Sequence, residues 1–126
     1  EPAMLTRQEF EELVDEALEE IPAEFLEKLE NVEILVEDEP SRELLHEVGV
    51  RGGGSLFGLY QGIPETQKSA FHLFPMPDRI LIFRRPILRA CRTPRQVVRE
   101  IRKTVMHEVA HHFGFSEERL RELGYG

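Results

Sequence analysis

Two histidines and a glutamate near the end of the chain form the pattern best suited to chemistry. His107, Glu108 and His111 follow one another as His-Glu-x-x-His. On an α-helix, residues four apart differ by only about 40° in azimuth and roughly 6 Å along the axis, so both imidazoles can reach one cation. Zinc accepts imidazole nitrogen, and a water molecule at its open position has a pKa of about 7. The spacing predicts that His107 and His111 bind zinc and that Glu108 acts as general base.

A third metal ligand is expected shortly after the motif. Gly114 can end the helix in a left-handed conformation and turn the chain back, so that Glu117 supplies an oxygen ligand. This layout resembles the HExxHxxGxx pattern of metzincins, where the last ligand is usually histidine. Glu118 and Glu122 are alternative carboxylate ligands. Glu117 also fits the first turn of a last helix capped by Ser116. We predict Glu117 as the third ligand.

Other chemically capable side chains fit the site less well. His112 lies about 100° from its neighbour His111 on a helix, so we expect it to pack or face solvent rather than bind metal. His46 and His72 have no ligand-like spacing. Tyr125 follows the last helix, and its phenol is a candidate hydrogen-bond donor to an oxyanion.

Composition limits the classes of partner. With 126 residues, 24 acidic against 16 basic side chains and a net charge of −8, we expect one domain over residues 1–126 and no affinity for nucleic acid or anionic membranes. The printed residues include no apolar run of about 18 residues and no basic start followed by an apolar centre, so we expect no targeting to a membrane. Its single cysteine, Cys91, cannot form an internal disulfide, so we expect a cytoplasmic protein. Met4 is the expected natural start, and we expect residues 1–3 to carry no function.

The elements that must position these residues follow from hydrophobic periodicity and end signals. Thr6 and Glu9 form a capping box, and Thr93 with Pro94 begins the long helix that carries the motif. The segment 63–78 is expected to be loop. We predict helices over 7–20, 22–29, 42–47, 94–113 and 116–123, and extended segments over 32–36, 56–61 and 79–83.

The sequence also resembles, over almost its whole length, the short single-domain bacterial zincin-like proteins that are described as possible zinc metallopeptidases. The resemblance implies an α+β fold in which a small mixed β-sheet packs on helices and the long C-terminal helix carries the HExxH motif. It also implies His107 and His111 on the metal, Glu108 as base and an acidic residue at position 117. The matching segments are 10–14, 31–40, 58–64, 77–80, 83–87 and, most specifically, 104–125.

These features favour a zinc metallopeptidase that hydrolyses a peptide or protein substrate with one zinc ion. The segment 56–61 is the predicted edge strand for an extended substrate, and it fits an ordinary core strand equally well. A rival hypothesis is a non-catalytic module that binds a peptide or partner on a metal-binding zincin scaffold. It is favoured by the absence of a clear oxyanion donor in the sequence. A third is an amidase with the same site residues. Other divalent metals also accept these ligands.

Overall fold

The structure is a computed structural model that describes residues 5–49, 56–62 and 77–125. The described residues form six α-helices and three strands, as expected for an α+β fold. None of these helices has the length and apolar character that crossing a bilayer requires. The helices are α1 (Arg7–Glu19), α2 (Ala23–Leu26), α3 (Arg42–Glu47), α4 (Arg84–Ala90), α5 (Pro94–Phe113) and α6 (Glu117–Glu122), and the strands are β1 (Val32–Glu37), β2 (Gly58–Gln61) and β3 (Asp78–Phe83).

The strands form a mixed sheet in the order β1-β3-β2. β3 is central, pairing in parallel with β1 and antiparallel with β2. Its residues 80–83 are all buried, which explains why this strand appears in the sequence as a continuous apolar run rather than an alternating one. Within the described sheet, β2 lies at an edge, as predicted. The strand β3 begins at Asp78, so the prediction that assigned this residue to a loop was wrong.

The ends of the long helix α5 are set by local signals that the sequence predicted. The Thr93 hydroxyl accepts a hydrogen bond from the Gln96 amide, and Pro94 occupies the first turn. At the other end, Gly114 adopts a left-handed conformation with φ of 81°. A residue with a Cβ is strained in this conformation, so glycine ends the helix at this point.

The core lies between α5, the sheet and α1. Helix α1 is held at its start by the Thr6–Glu9 capping box and packs along α5. Helix α5 also contacts β2 and β3. The helix that carries the motif is therefore packed against both α1 and the sheet. The buried residues that these two helices contribute are Phe10, Val14, Ala17, Val97, Val98, Ile101, Val105, Met106, Val109 and Ala110.

Two helical segments differ from the prediction. The expected helix 22–29 begins after Pro22, which is its N-cap, and ends in a 3₁₀ turn over Glu27–Leu29. Helix α4 was not predicted. Pro86 falls in its first turn, where the missing amide hydrogen breaks no helical bond, but in the sequence a proline after two arginines resembles a loop. Most of the predicted loop 63–78, and His72 with it, lies outside the described residues.

Gly58 provides a direct test of how closely β2 approaches α5. A Cβ at this position would lie 2.6 Å from Thr104 Cγ2 and 2.8 Å from the Leu81 carbonyl oxygen. The backbone oxygen cannot rotate away, so we expect Gly58→Ala to lower the free energy of unfolding by about 1–3 kcal/mol. Urea denaturation measures the change. Gly62→Ala is the matched control, because its Cβ would have no described neighbour closer than 3.8 Å. Equal stability of both variants would contradict this packing.

Candidate metal centre

The structure brings His107, His111 and Glu117 together at the junction of α5 and α6. Each residue offers one possible ligand atom, and these three atoms all lie within 4.8 Å of one another. His111 Nε2 is 3.6 Å from Glu117 Oε1. Among the described residues, these three form the one group of histidine, cysteine and acidic side chains that is close enough to hold a metal ion. Two imidazoles and one carboxylate are a donor set that zinc accepts, so the residues present fit this metal.

The turn between the two helices explains why Glu117 reaches the histidines. After Gly114 the amide of Phe115 donates to the Ala110 carbonyl at 2.9 Å, and the chain reverses. The Phe115 ring then stacks on Phe25, with centroids 4.4 Å apart. Ser116 caps α6 by accepting a hydrogen bond from the Arg119 amide. The backbone therefore holds the start of α6 beside the last turn of α5.

Two of the three proposed ligands have exposed side chains. The side chains of His111 and Glu117 are 64% and 58% exposed, and His107 is half-buried. An open centre of this kind has space for ligands that do not come from the protein, as catalytic zinc sites do. The alternative carboxylates belong to the same short helix. Glu122 pairs there with Arg119 at 3.0 Å, and Glu118 lies in the first turn.

Glu108 is held by the edge strand. The Tyr60 amide donates a hydrogen bond to Glu108 Oε1 at 2.7 Å. The geometry follows from antiparallel pairing, in which alternate residues direct their amides away from the partner strand. The Phe83 amide donates to the Phe57 carbonyl, so the main-chain amides and carbonyls of residues 57, 59 and 61 are directed toward β3. The main-chain amide of Tyr60 is therefore directed away from β3, toward α5. Glu108 thus has one oxygen fixed by the main chain of β2.

The side chain of Tyr60 fixes β2 against the motif helix. Its hydroxyl donates to Asp78 Oδ2 at 2.7 Å, and its ring stacks on His112 with centroids 3.8 Å apart. Burial raises the pKa of the Tyr60 phenol, and the hydrogen bond and charge of Asp78 raise it further. The phenol therefore stays protonated and remains a donor. His112 is exposed and stacks on Tyr60, and it is not among the three grouped ligand residues, in agreement with the expectation that it packs or faces solvent.

Tyr125 contacts the site in a way that the sequence did not indicate. Its main-chain carbonyl lies 2.6 Å from His107 Nε2, and its ring lies over the guanidinium of Arg102 at 5.4 Å. The predicted role was a hydrogen bond from the phenol. Side-chain types in a sequence carry no information about contacts made by main-chain atoms, so neither this carbonyl nor the Tyr60 amide was predicted.

A cleft of about 390 Å³ adjoins two of the motif residues. One wall comes from the residues that lead into β2, and the other from the middle of α5. The apolar walls are broken by an acidic and a basic side chain, Glu100 and Lys103. The cleft is lined by Leu56, Phe57, Gly58, Glu100, Lys103, Thr104, His107 and Glu108.

Comparisons with known proteins agree with this architecture. The family described as zincin-like metallopeptidase matches residues 29–126. Among solved structures, the chain is similar to a conserved hypothetical protein from Thermo thermophilus, with a TM-score of 0.54 and 24% identity over 86% of this chain and 94% of that chain. At this identity the likeness shows the fold alone. A comparison with curated protein sequences found no match. Because the family match covers most of the chain, the protein belongs to the zincin-like metallopeptidase family.

Proposed function

We propose that the protein is a zinc-dependent peptidase whose ligands are His107, His111 and Glu117 and whose general base is Glu108. The observation that carries this proposal is the grouping of three suitable donor atoms within 4.8 Å of one another, beside a carboxylate on the same helix. Membership in the family supports a divalent metal, typically zinc, at this position.

In this proposal Glu108 transfers the proton during hydrolysis, and the Tyr60 amide holds Glu108 in place. A zinc ion, when bound, lowers the pKa of water toward ~7 and polarises a carbonyl. Glu108 takes a proton from the attacking water and returns it to the leaving amine. Its Oε1 already accepts the Tyr60 amide, so Oε2 is the oxygen that has room to accept that proton. The amide keeps the carboxylate beside the metal ligands without adding a charge.

The cleft indicates how a substrate would lie. It touches both His107 and Glu108, so a side chain next to the scissile bond can enter it while the carbonyl faces the metal centre. Leu56 and Phe57 favour an apolar side chain. Glu100 and Lys103 carry opposite charges, which gives no preference for one sign of substrate charge.

A non-catalytic binding module is the second candidate. One observation favours it: Glu108, the only base in the motif, is already engaged by the Tyr60 amide. In that reading the carboxylate ties β2 to α5, and the cleft binds a peptide without cleaving it. The two candidates share the metal ligands and differ in whether the bound peptide is hydrolysed.

The deciding experiment combines metal analysis with a cleavage screen. Freshly purified protein is analysed for bound metal, then stripped with a chelator and reloaded with zinc. Each form is incubated with a mixed-peptide library, and the products are identified by mass spectrometry. We expect about one zinc per chain and cleavage only in the zinc-loaded form, with an apolar residue beside the cut. Zinc binding with no cleavage across the library would support the binding module. Absence of both would contradict the metal centre itself.

A further inference from the structure

The carboxylate of Glu117 is placed by α6, a helix that is too short to hold its position alone. It has six residues, and isolated helices of this length are marginal in water. Its position beside α5 therefore depends on contacts with the rest of the chain. The buried side chain of Leu120 supplies one such contact, but apolar burial is non-directional and does not by itself fix the orientation of the helix.

Two adjacent residues of α2 contact the chain on both sides of Glu117. The Phe25 ring stacks on the ring of Phe115, two residues before Glu117, with centroids 4.4 Å apart. The Glu24 carboxylate accepts two hydrogen bonds from Arg119, two residues after Glu117: one runs from Nη2 to Oε1, and one from Nε to Oε2 at 3.4 Å. The segment that carries the proposed ligand is thus attached to α2 at both ends.

The pair formed by Arg119 and Glu24 is directional. A guanidinium that donates to both oxygens of one carboxylate fixes the relative orientation of the two groups. Residues two apart differ by about 200° around an α-helix, so Arg119 faces α2 while Glu117 faces the histidines of α5. A guanidinium has no acceptor to offer a cation, so any influence of Arg119 on the metal passes through the position of α6.

We propose that Arg119 and Glu24 are positioning residues of the metal centre: their ion pair orients α6 so that the Glu117 carboxylate lies beside the two imidazoles. The side chains of this pair are 41% and 37% exposed, and exposed ion pairs contribute little to global stability. Their contribution is to the placement of α6 rather than to folding. The metal ion itself rests on the proposed function above, whereas the placement of α6 does not, so the two can fail separately.

The first test measures zinc affinity by competition with a chelator. We expect Arg119→Met to bind zinc about tenfold more weakly, at the lower end of the loss that follows removal of a partner of a metal ligand. Electrostatics alone predicts the opposite result, because removal of a positive charge favours a nearby cation. Arg121→Met is the matched control: it removes the same charge from an exposed position on the same helix, and it should not weaken zinc binding.

A double variant separates positioning from general destabilisation. In the Glu117→Gln background the proposed ligand is already weakened, so a residue that acts only through this ligand has little left to change. We therefore expect Arg119→Met to weaken zinc binding in the unaltered background and to have little further effect beside Glu117→Gln. Losses of equal size in both backgrounds would show that Arg119 affects the metal by another route, which would contradict the proposal.

The second test uses metal-free protein. Amide hydrogen exchange, followed by NMR, reports the opening of α6 at Leu120 and Leu123, whose amides donate to main-chain carbonyls of this segment at 3.2 Å. We expect faster exchange at both amides in Arg119→Met and unchanged exchange in Arg121→Met. Glu24→Ala breaks the pair from the α2 side, so it should resemble Arg119→Met in both tests even if that variant folds poorly. Amides of α5 serve as internal references.

Two further results would overturn the proposal. One is an unchanged zinc affinity in both Arg119→Met and Glu24→Ala. The other is amide exchange in α6 that responds to neither variant. If exchange responds as expected but the unaltered protein binds no zinc, the contacts that place α6 are supported and the proposed metal function is contradicted.

Discussion

Glu108→Gln is expected to reduce the kcat for peptide hydrolysis by about 10²–10⁴-fold, the contribution of a positioned general base. The amide side chain cannot take a proton from water. Its oxygen can still accept the hydrogen bond that the Tyr60 amide donates at 2.7 Å, so β2 should stay in place. Zinc content and KM should therefore change little. Steady-state cleavage of a peptide identified in the library screen, together with metal analysis of the same sample, measures all three quantities.

The control for this prediction is Glu12→Gln, the same substitution at an exposed position on α1. It should leave kcat, KM and zinc content unchanged. If Glu108→Gln cleaves peptide as fast as the unaltered protein, another group must supply the base or the activity must come from a contaminant. Loss of zinc from Glu108→Gln would instead indicate that this carboxylate binds the metal.

His111→Ala is expected to weaken zinc binding more than the loss of a supporting partner of a ligand would. It removes one of three proposed protein ligands, so zinc affinity should fall by more than the roughly 10–100-fold that loss of a supporting partner costs. The side chain is 64% exposed, so the loss should occur with little change in the free energy of unfolding of the metal-free protein. Competition with a chelator measures affinity, and urea denaturation of the metal-free protein measures stability.

His112→Ala is the matched control for the metal ligand. Its imidazole stacks on Tyr60, so we expect some loss of stability and unchanged zinc affinity. The third ligand is tested in the same assay by comparing Glu117→Gln with Glu118→Gln. Only the first should weaken zinc binding, because Glu117 is the acidic residue grouped with the histidines. Equal effects of His111→Ala and His112→Ala would contradict the proposed ligand set.

Elements with strong local signals could be predicted from the sequence. Helix α5 runs from Pro94 to Phe113, the bounds that Thr93 at one end and Gly114 at the other indicated. The short-range arrangement of the candidate site follows from the same helix, because the spacing of its histidines is a property of α-helical geometry. The position of Glu117 depended on the turn after Gly114, and the structure does place its carboxylate near both imidazoles.

Features that depend on long-range contacts could not be predicted. The order β1-β3-β2 arises from pairing between segments far apart in the chain, which no local pattern specifies. Helix α4 was missed because its amphipathic pattern is short and contains Pro86. The hydrogen bond that the Arg85 amide donates to the Asp38 carbonyl is also a contact between distant parts of the chain. The supports of the site are the main-chain amide of Tyr60 and the main-chain carbonyl of Tyr125, which do not depend on the side-chain type, except that proline would lack the amide hydrogen.

The hydrogen bond from the Tyr60 amide to Glu108 also affects how a peptide strand could pair with β2. A peptide that extends the sheet beyond β2 needs the outward amides of that strand as donors. The Tyr60 amide cannot donate a full hydrogen bond to both a peptide carbonyl and Glu108, so these two acceptors compete for it. A peptide strand that pairs with β2 across Tyr60 captures this donor and releases the carboxylate, whereas one that ends before Tyr60 leaves the hydrogen bond to Glu108 in place. The length of the segment that pairs with β2, rather than the tightness of binding, would then determine which peptides meet an unrestrained base.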